Sequence, residues 1–236
     1  MFFYINWTYI LMVLPAFIFA SWASSKVKTT FDIYSKEYSK RGETGSSIAR
    51  RVLDEHGLNH IRIERVSGKL QDHYDPKNNV IRLSNGVYDS TSVAALGVAL
   101  HEVGHAIQYK EGYFPIKLRN AIIPLTNISS RLAMPLILIG ILLSSLGEGY
   151  SVVAYIGVAL FGVAVLFQLI TLPVEYNASN RAIKQLENTY ALDSYELDGA
   201  KKVLSAAALT YVASLAVAFS QFLYLLRLVG RRSNRR

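Results

Sequence analysis

Long apolar segments alternate with polar stretches along the chain, and four of them are candidates for membrane-spanning helices. They cover residues 3–23, 132–146, 152–172 and 203–228. A helix needs about 20 apolar residues to cross the hydrocarbon core of a bilayer, so the second segment is short unless it extends back through Arg131. The turn-rich sequence from Gly147 to Tyr150 follows it. We therefore expect a helical hairpin that returns the chain to the side it left.

The positions of the basic residues predict how these segments are oriented. No basic residue precedes the first segment, whereas five follow it, at Lys26, Lys28, Lys36, Lys40 and Arg41. Because cytoplasmic loops carry an excess of Lys and Arg, the polar region is predicted to face the cytoplasm. The missing basic leader favours a retained anchor over a cleaved signal peptide. The last segment is predicted to cross the membrane, to be re-entrant, to lie at the interface or to pack within the protein.

The polar region over residues 24–130 changes between helical and strand periodicity. Good N-cap residues precede both of its helical patterns, at Thr44 or Ser46 and at Ser90 to Ser92. The turn-forming residues 75–79 separate two strand-like patterns. The predicted elements are a helix over residues 44–53, a strand over 61–66, a strand over 80–83 and a helix that ends at about Tyr109.

Composition and charge restrict the chemistry of this chain. Apolar residues make up 51% of its 236 residues, so an ordinary soluble domain is a poor description. The absence of cysteine excludes disulfides, thiolate zinc sites and iron–sulfur ligation. The net charge is +8, and the basic residues cluster between and beside the apolar segments. This placement indicates a bilayer as the partner and argues against nucleic acid. The sequence predicts a mainly α membrane protein.

The second helix of the polar region carries a candidate metal site, in the order His101-Glu102-Val103-Gly104-His105. Two histidines four residues apart lie on one helical face, so both imidazoles can reach one tetrahedral ion. Glu102 can then accept a proton from a metal-activated water, as peptide hydrolysis requires. Gly97 and Gly104 flank this face, either to admit a substrate or to allow close packing of a neighbouring helix.

A third protein ligand is expected from the segment that follows the hairpin. Glu175 comes two residues after Pro173, which predicts the start of a helix there. Small residues share the face of Glu175, at Ala178, Ser179 and Ala182, and leave room for the histidine helix. The alternative is that Glu175 only complements a helix N-terminus.

These motifs together resemble the YugP-type neutral zinc metallopeptidase family, which consists of bacterial membrane proteins. The resemblance covers most of the chain and lies in the sequences Gly42-Glu43-Thr44-Gly45, Asp72-His73-Tyr74-Asp75-Pro76, Leu83-Ser84, Ser92-Val93-Ala94-Ala95, His101-Glu102-Val103-Gly104-His105-Ala106-Ile107-Gln108 and Val174-Glu175-Tyr176-Asn177-Ala178-Ser179. It implies a multi-pass protein of the bacterial plasma membrane.

The chain is also similar, more distantly, to membrane proteases of the HtpX and CAAX-prenyl-protease kind. That group has a glutamate ligand after a helical hairpin, which implies Glu175 as the third ligand, and an aspartate where this chain has Ser179. A serine hydroxyl can orient His101 or a water but supplies no charge. The same resemblance implies an edge strand that pairs with an extended substrate, formed by Val80, Ile81, Arg82 and Leu83.

Three further side chains are candidates for stabilising the oxyanion. His73 and Tyr74 either polarise the scissile carbonyl or stabilise the turn before Pro76. Arg181 either takes the same role or forms a surface salt bridge.

The expected fold is about four hydrophobic helices with a small α+β zincin-like part on the cytoplasmic side. The chain then divides into an anchor (1–23), the zincin-like part (24–130), a transmembrane hairpin (131–172), the third-ligand region (173–202) and a last hydrophobic helix with a basic tail (203–236).

The expected activity is that of a gluzincin-like zinc endopeptidase. It would bind Zn²⁺ through His101, His105 and Glu175, use Glu102 as general base and cleave proteins or peptides near the membrane. The sequence leaves its oligomeric state and any regulatory partner open. Two alternatives remain, a membrane adaptor with a structural metal and a metal-dependent hydrolase of a non-peptide substrate. The sequence offers no evident fourth protein ligand to close the site, which favours catalysis over the adaptor.

Overall fold

The computed structural model describes residues 7–144, 147 and 151–233, with seven helices and three strands in that part of the chain. Residues 3–6 of the first apolar segment, residues 148–150 of the hairpin tip and residues 234–236 of the basic tail lie outside the described residues. The elements in chain order are α1 (Trp7–Tyr34), α2 (Gly45–Glu55), β1 (Arg62–Val66), β2 (His73–Asp75), β3 (Val80–Ser84), α3 (Asn85–Tyr88), α4 (Val93–Glu111), α5 (Phe114–Leu143), α6 (Ser151–Asn188) and α7 (Ser194–Ser233).

Four of the described helices, α1, α5, α6 and α7, are long and apolar enough to cross a membrane. Large apolar side chains on them are exposed, for example Leu138 at 61% and Leu142 at 72%, as expected for helices surrounded by lipid. The prediction of a mainly α membrane protein is confirmed. The second apolar segment does extend back through Arg131, because α5 begins at Phe114. Helix α7 is uninterrupted, which favours a crossing over a re-entrant path.

Helix α6 differs from the prediction at Pro173. We expected a helix to begin there, but α6 is continuous from Ser151 to Asn188 and Pro173 lies inside it. A proline removes one backbone hydrogen bond and usually kinks or breaks a helix in water. Apolar membrane helices tolerate proline because neighbouring groups satisfy the freed carbonyl. The helix start was therefore wrong, although the chain after Pro173 is helical.

The chain divides into two compact units by its contacts. The first comprises Met1–Ala23, Lys117–Leu172 and Tyr211–Arg236, and the second comprises Ser24–Ile116 and Pro173–Thr210. The core of the second unit is built on α4, whose Leu96, Leu100 and Val103 are fully buried. Side chains from α2, β3, α6 and α7 complete this core.

Both helices predicted in the polar region are confirmed, and so are their caps. The Thr44 hydroxyl accepts a hydrogen bond from the backbone N–H of Ser47 at 3.2 Å, at the start of α2. The Ser92 hydroxyl accepts one from the N–H of Ala95 at 3.2 Å, at the start of α4. Such caps satisfy N–H groups that have no partner within the helix.

The sheet contradicts the prediction that Val80, Ile81, Arg82 and Leu83 form an edge strand. They belong to β3, the middle strand of a three-stranded sheet with the order β1-β3-β2. Strand β1 pairs with β3 in parallel and β2 pairs with it antiparallel. The sequence reading missed β2, because His73 and Tyr74 precede Asp75 and Pro76 and resemble the start of a turn.

The turn after β2 explains why so short a strand forms. The Asp75 carboxylate accepts hydrogen bonds from the N–H groups of Lys77 and Asn78 and from the Arg82 guanidinium. The Asn78 side chain donates to the same carboxylate, and with Arg82 it lowers the pKa of Asp75 to about 2. Because an ionised Asp75 accepts all of these bonds, the turn returns the chain onto β3 and leaves β2 at the sheet edge.

Candidate metal centre

Helix α4 places the two histidines on one face, where both are mostly buried. It begins at the Ser92 cap and ends at Gly112, which takes the left-handed conformation (φ 64°) that favours glycine. The side chains of His101 and His105 are only 14% and 13% exposed. Their rings lie edge to face, with centroids 4.8 Å apart. One face of α4 thus presents two nearly buried imidazoles.

Glu175 on α6 joins this pair, as the sequence predicted. Its Oε2 atom lies 3.3 Å from Nε2 of His101 and 3.4 Å from Nε2 of His105, and its side chain is 5% exposed. The ligand atoms of the three residues all lie within 4.8 Å of one another. Both Nε2 atoms therefore converge on one carboxylate oxygen.

The donor set and its spacing fit a zinc ion. A tetrahedral zinc ion with bonds of about 2.0–2.1 Å separates its ligand atoms by roughly 3.3–3.4 Å. The two histidine-to-Glu175 separations match that spacing. Burial alone lowers the pKa of His105, but the Glu175 and Glu102 carboxylates outweigh it and raise that pKa above its usual value. The site thus favours positive charge among its side chains.

The outer nitrogen of each histidine also has a partner. Nδ1 of His101 lies 3.2 Å from the hydroxyl of Ser179, and Nδ1 of His105 lies 3.0 Å from Oε1 of Gln108. Metal-binding histidines usually use one nitrogen for the ion and hydrogen-bond through the other, which fixes the ring. Ser179, predicted from the resemblance, and Gln108, which the sequence reading assigned no role, occupy these positions.

Gly104 allows α4 and α6 to approach each other. A Cβ atom at Gly104 would lie 2.7 Å from the backbone oxygen of Ala178 and 3.2 Å from its Cα. A Cβ at Gly97 would lie 3.7 Å from Cβ of Ala200 and 3.8 Å from Cγ of Leu204, which are ordinary contacts. A glycine at position 104 therefore permits the close packing of α4 on α6, and this packing brings Glu175 within reach of the histidines.

Glu102 is the chain neighbour of the candidate ligand His101 on α4, and its carboxylate is held by the sheet. Its side chain is buried, and Oε2 accepts a hydrogen bond from the backbone N–H of Tyr74 at 2.9 Å. That N–H belongs to the edge strand β2. The strand that the sequence reading missed therefore orients the carboxylate predicted as general base.

The remaining predicted residues are placed differently. Tyr74 packs its ring edge to face on Tyr109, at 5.5 Å, and burial raises the pKa of its hydroxyl. His73 is exposed, and its Nδ1 lies 2.7 Å from the backbone oxygen of Gln71. Arg181 forms the salt-bridge alternative, because its guanidinium lies 2.6 Å from Glu111.

A comparison with protein-family models places this chain in a known group. Residues 9–230 match the family described as "Putative neutral zinc metallopeptidase". The chain belongs to this family. The resemblance inferred from the sequence is thus confirmed, and zinc is the cofactor that the family description and the His/His/Glu group both indicate.

A relative from Bacillus subtilis extends the comparison to nearly the whole chain. The chain is 45% identical to the "Putative membrane protease YugP" of Bacillus subtilis (strain 168) over 228 residues, covering 96% of this chain and 99% of the relative. No solved structure matches the chain. Together with the four apolar helices, the relative supports a membrane protein of the protease class.

Proposed function

We propose that this chain is a zinc-dependent membrane endopeptidase of the gluzincin-like type. One observation carries the proposal: Nε2 of His101, Nε2 of His105 and Oε2 of Glu175 converge within zinc-ligand spacing, and the buried Glu102 lies next to His101 on the same helix. The donor set supplies three protein ligands and leaves one position of a tetrahedral site for substrate or water, as in catalytic zinc sites.

Each side chain of the site has a separate role in the proposed hydrolysis. His101, His105 and Glu175 hold the ion. A zinc ion held there would supply Lewis acidity, which would lower the pKa of a water toward about 7 and polarise a carbonyl group. Glu102 accepts one proton from the water as its oxygen attacks the peptide carbon, and it passes that proton to the leaving amine as the C–N bond breaks. The N–H of Tyr74 holds Glu102 in place for both transfers.

Tyr74 is the best oxyanion donor among the predicted candidates. Its backbone N–H reaches the Glu102 carboxylate at 2.9 Å, and its phenol is protonated at neutral pH, with a pKa that burial raises further, so it can donate a hydrogen bond there. Its neighbour His73 is exposed and points to Gln71, while Arg181 is engaged by Glu111. We assign Ser179 the separate role of orienting His101 through Nδ1.

The outer edge of β2 is the proposed binding strand for an extended substrate. The N–H of Tyr74 bonds to Glu102, so at this residue the strand directs its backbone groups away from β3. A peptide that adds to this edge would run past Glu102, which is where a scissile bond must lie. We infer protein or peptide substrates near the bilayer, cleaved on the cytoplasmic side, from the four apolar helices and the basic residues that follow the first one.

The test combines metal content with cleavage of casein by the detergent-purified protein. Wild type should contain about one zinc per chain and cleave casein. Glu102→Gln should keep its zinc but lose at least about 100-fold of the activity, because the amide cannot accept the proton. Zinc without cleavage of casein or of membrane-protein substrates would instead favour an adaptor with a structural metal. A folded wild type that binds no zinc would overturn the proposal.

A further inference from the structure

Gln108 forms hydrogen bonds through both ends of its amide, although its side chain is completely buried. Its Nε2 donates to the backbone oxygen of Val174 at 2.8 Å and to Oδ1 of Asn177 at 2.9 Å. Its Oε1 lies 3.0 Å from Nδ1 of His105. The amide thus connects a proposed zinc ligand on α4 with two residues of α6.

Arg181 determines which atoms in these hydrogen bonds donate and which accept. A guanidinium can only donate hydrogen bonds, and Nε of Arg181 lies 2.7 Å from Oδ1 of Asn177. Oδ1 must therefore be the acceptor, which sets the orientation of the Asn177 amide. The Gln108 group facing both Oδ1 and the Val174 carbonyl must then be the NH₂ donor. A flipped Gln108 would place its oxygen against two acceptors.

The state of His105 follows from this polarity. Since the Gln108 oxygen faces Nδ1 of His105, a hydrogen bond requires the proton on Nδ1. The lone pair of a neutral ring is then on Nε2, the atom 3.4 Å from Glu175. His101 is less constrained, because the Ser179 hydroxyl at its Nδ1 can donate or accept.

We propose that Arg181, Asn177 and Gln108 form a positioning relay that holds His105 with Nδ1 protonated and Nε2 directed at the zinc ion. The hydrogen bonds of the three side chains connect them to His105, Val174, Glu111 and one another, so they are positioning residues and not catalytic ones. Glu111 anchors the outer end, because its carboxylate lies 2.6 Å from the Arg181 guanidinium. The proposal rests on the zinc site proposed above and extends it to residues that no ligand motif marks.

The decisive variants change the middle of the relay. Asn177→Leu keeps the size of the side chain but removes the oxygen that orients Gln108, whereas Asn177→Asp keeps an acceptor for both Gln108 and Arg181. Loss of a residue that orients a metal ligand typically weakens metal binding by about 10–100-fold. We expect Asn177→Leu to weaken zinc binding by roughly 10-fold, and Asn177→Asp to stay within about twofold of wild type.

Zinc affinity is measured in detergent by competition with a chromophoric chelator, and zinc release is timed after excess chelator is added. Asn180→Leu is the matched control, since Asn180 is an exposed residue on the same helix. It should bind zinc as wild type does. Gln108→Met, which removes the last link, should reproduce or exceed the loss in Asn177→Leu. Size-exclusion profiles and thermal midpoints show whether each variant is folded.

The outcomes separate this proposal from the one on which it rests. Wild type that binds no zinc would overturn the metal site itself. If wild type binds zinc and folded Asn177→Leu and Gln108→Met bind it equally well, the relay is wrong while the metal site stands. Equal losses in Asn177→Leu and Asn177→Asp would also overturn the relay, because the acceptor oxygen that Asn177→Asp keeps would then not be what maintains zinc affinity.

Discussion

Helices α4 and α6 both contribute to the candidate metal centre, but they reach it in different ways. Helix α4 begins at a serine cap, ends at a left-handed glycine and supplies His101, Glu102 and His105 from five consecutive residues. Helix α6 continues from an apolar segment without a break at Pro173, and it contributes one proposed ligand, Glu175. The geometry within α4 follows from helical periodicity, whereas Glu175 depends on how closely the two helices pack. The following variants test that difference.

Removing the single ligand on α6 should have the largest effect. Structural zinc sites with four ligands supply roughly 10–16 kcal/mol, so one ligand accounts for about 3 kcal/mol, or on the order of 100-fold in affinity. Glu175→Ala should therefore copurify with far less than one zinc per chain and should not cleave casein. Metal analysis of the purified protein measures this. Glu187→Ala, an exposed glutamate on the same helix paired with Lys201, is the control and should keep its zinc.

Unchanged zinc in folded Glu175→Ala would show that α4 holds the ion with other residues. The proposed difference between the two helices would then be wrong, because α6 would contribute packing contacts and no zinc ligand.

Moving the helices apart should have the next largest effect. Gly104→Ala places a methyl group 2.7 Å from the Ala178 oxygen, a clash that α4 and α6 can relieve only by separating. Overpacking of this kind lowers the free energy of unfolding by about 1–3 kcal/mol. A loss of similar size in the free energy of zinc binding lowers the zinc affinity by roughly 10-fold. Thermal unfolding with and without zinc, followed by circular dichroism in detergent, measures both quantities.

Gly97→Ala is the matched control on the same helix. Its methyl group would meet Cβ of Ala200 at 3.7 Å, and an alanine stabilises a helix interior by about 0.5–1 kcal/mol relative to glycine. Its midpoint should equal or exceed that of wild type. If both variants behave alike, the close contact at Gly104 does not position Glu175.

The same difference explains what the sequence could predict. The α4 site is local: a cap, a helical period and two histidines four residues apart were enough to predict its helix and its shared face. Predicting the position of Glu175 also required the topology of the chain, because the hairpin is what returns the chain to the side of the membrane that carries the histidines. The pairing of Glu175 with both histidines was predicted, but the continuity of α6 through Pro173 was not, since the rule used for proline describes helices in water.

Strand β2 and Gln108 show what a single sequence leaves out. Only three residues form β2, and its pairing depends on β3 and on the turn at Asp75, so its short polar sequence carries no strand period. The resemblance implied that β3 lies at the edge, and the missed strand β2 is what makes it the middle strand instead. Gln108 is visible three residues after His105, but its partners Val174 and Asn177 lie more than sixty positions away along the chain.

Ser179 offers a smaller test on α6. Ser179→Ala removes the partner of His101 Nδ1, and one neutral hydrogen bond contributes about 0.5–1.5 kcal/mol, so zinc affinity should fall by roughly 3–10-fold. Ser179→Asp should bind zinc at least as tightly as wild type, because a carboxylate accepts the Nδ1 proton and makes the ring a better ligand. Chelator competition measures both. Tighter binding by Ser179→Ala than by wild type would contradict the role of this hydroxyl.

The smallest effect is expected at Glu111, where the outer end of the Arg181 contact reaches solvent. The Glu111 side chain is 51% exposed, and exposed ion pairs contribute little, so Glu111→Gln should weaken zinc binding by roughly twofold or less. The hydrogen bond from Arg181 lowers the pKa of Glu111 below its usual value.

A lowered folded-state pKa gives the contribution of this pair a definite pH dependence. The carboxylate stabilises the fold above its unfolded pKa of about 4.3, and that stabilisation is lost as the pH falls through the lower folded value. The difference in thermal midpoint between wild type and Glu111→Gln should therefore be present at pH 7, begin to shrink below about pH 4.3 and be smaller in high salt. A difference that grows on acidification would mean that Glu111 acts as a protonated donor, and Arg181 would then need another anchor.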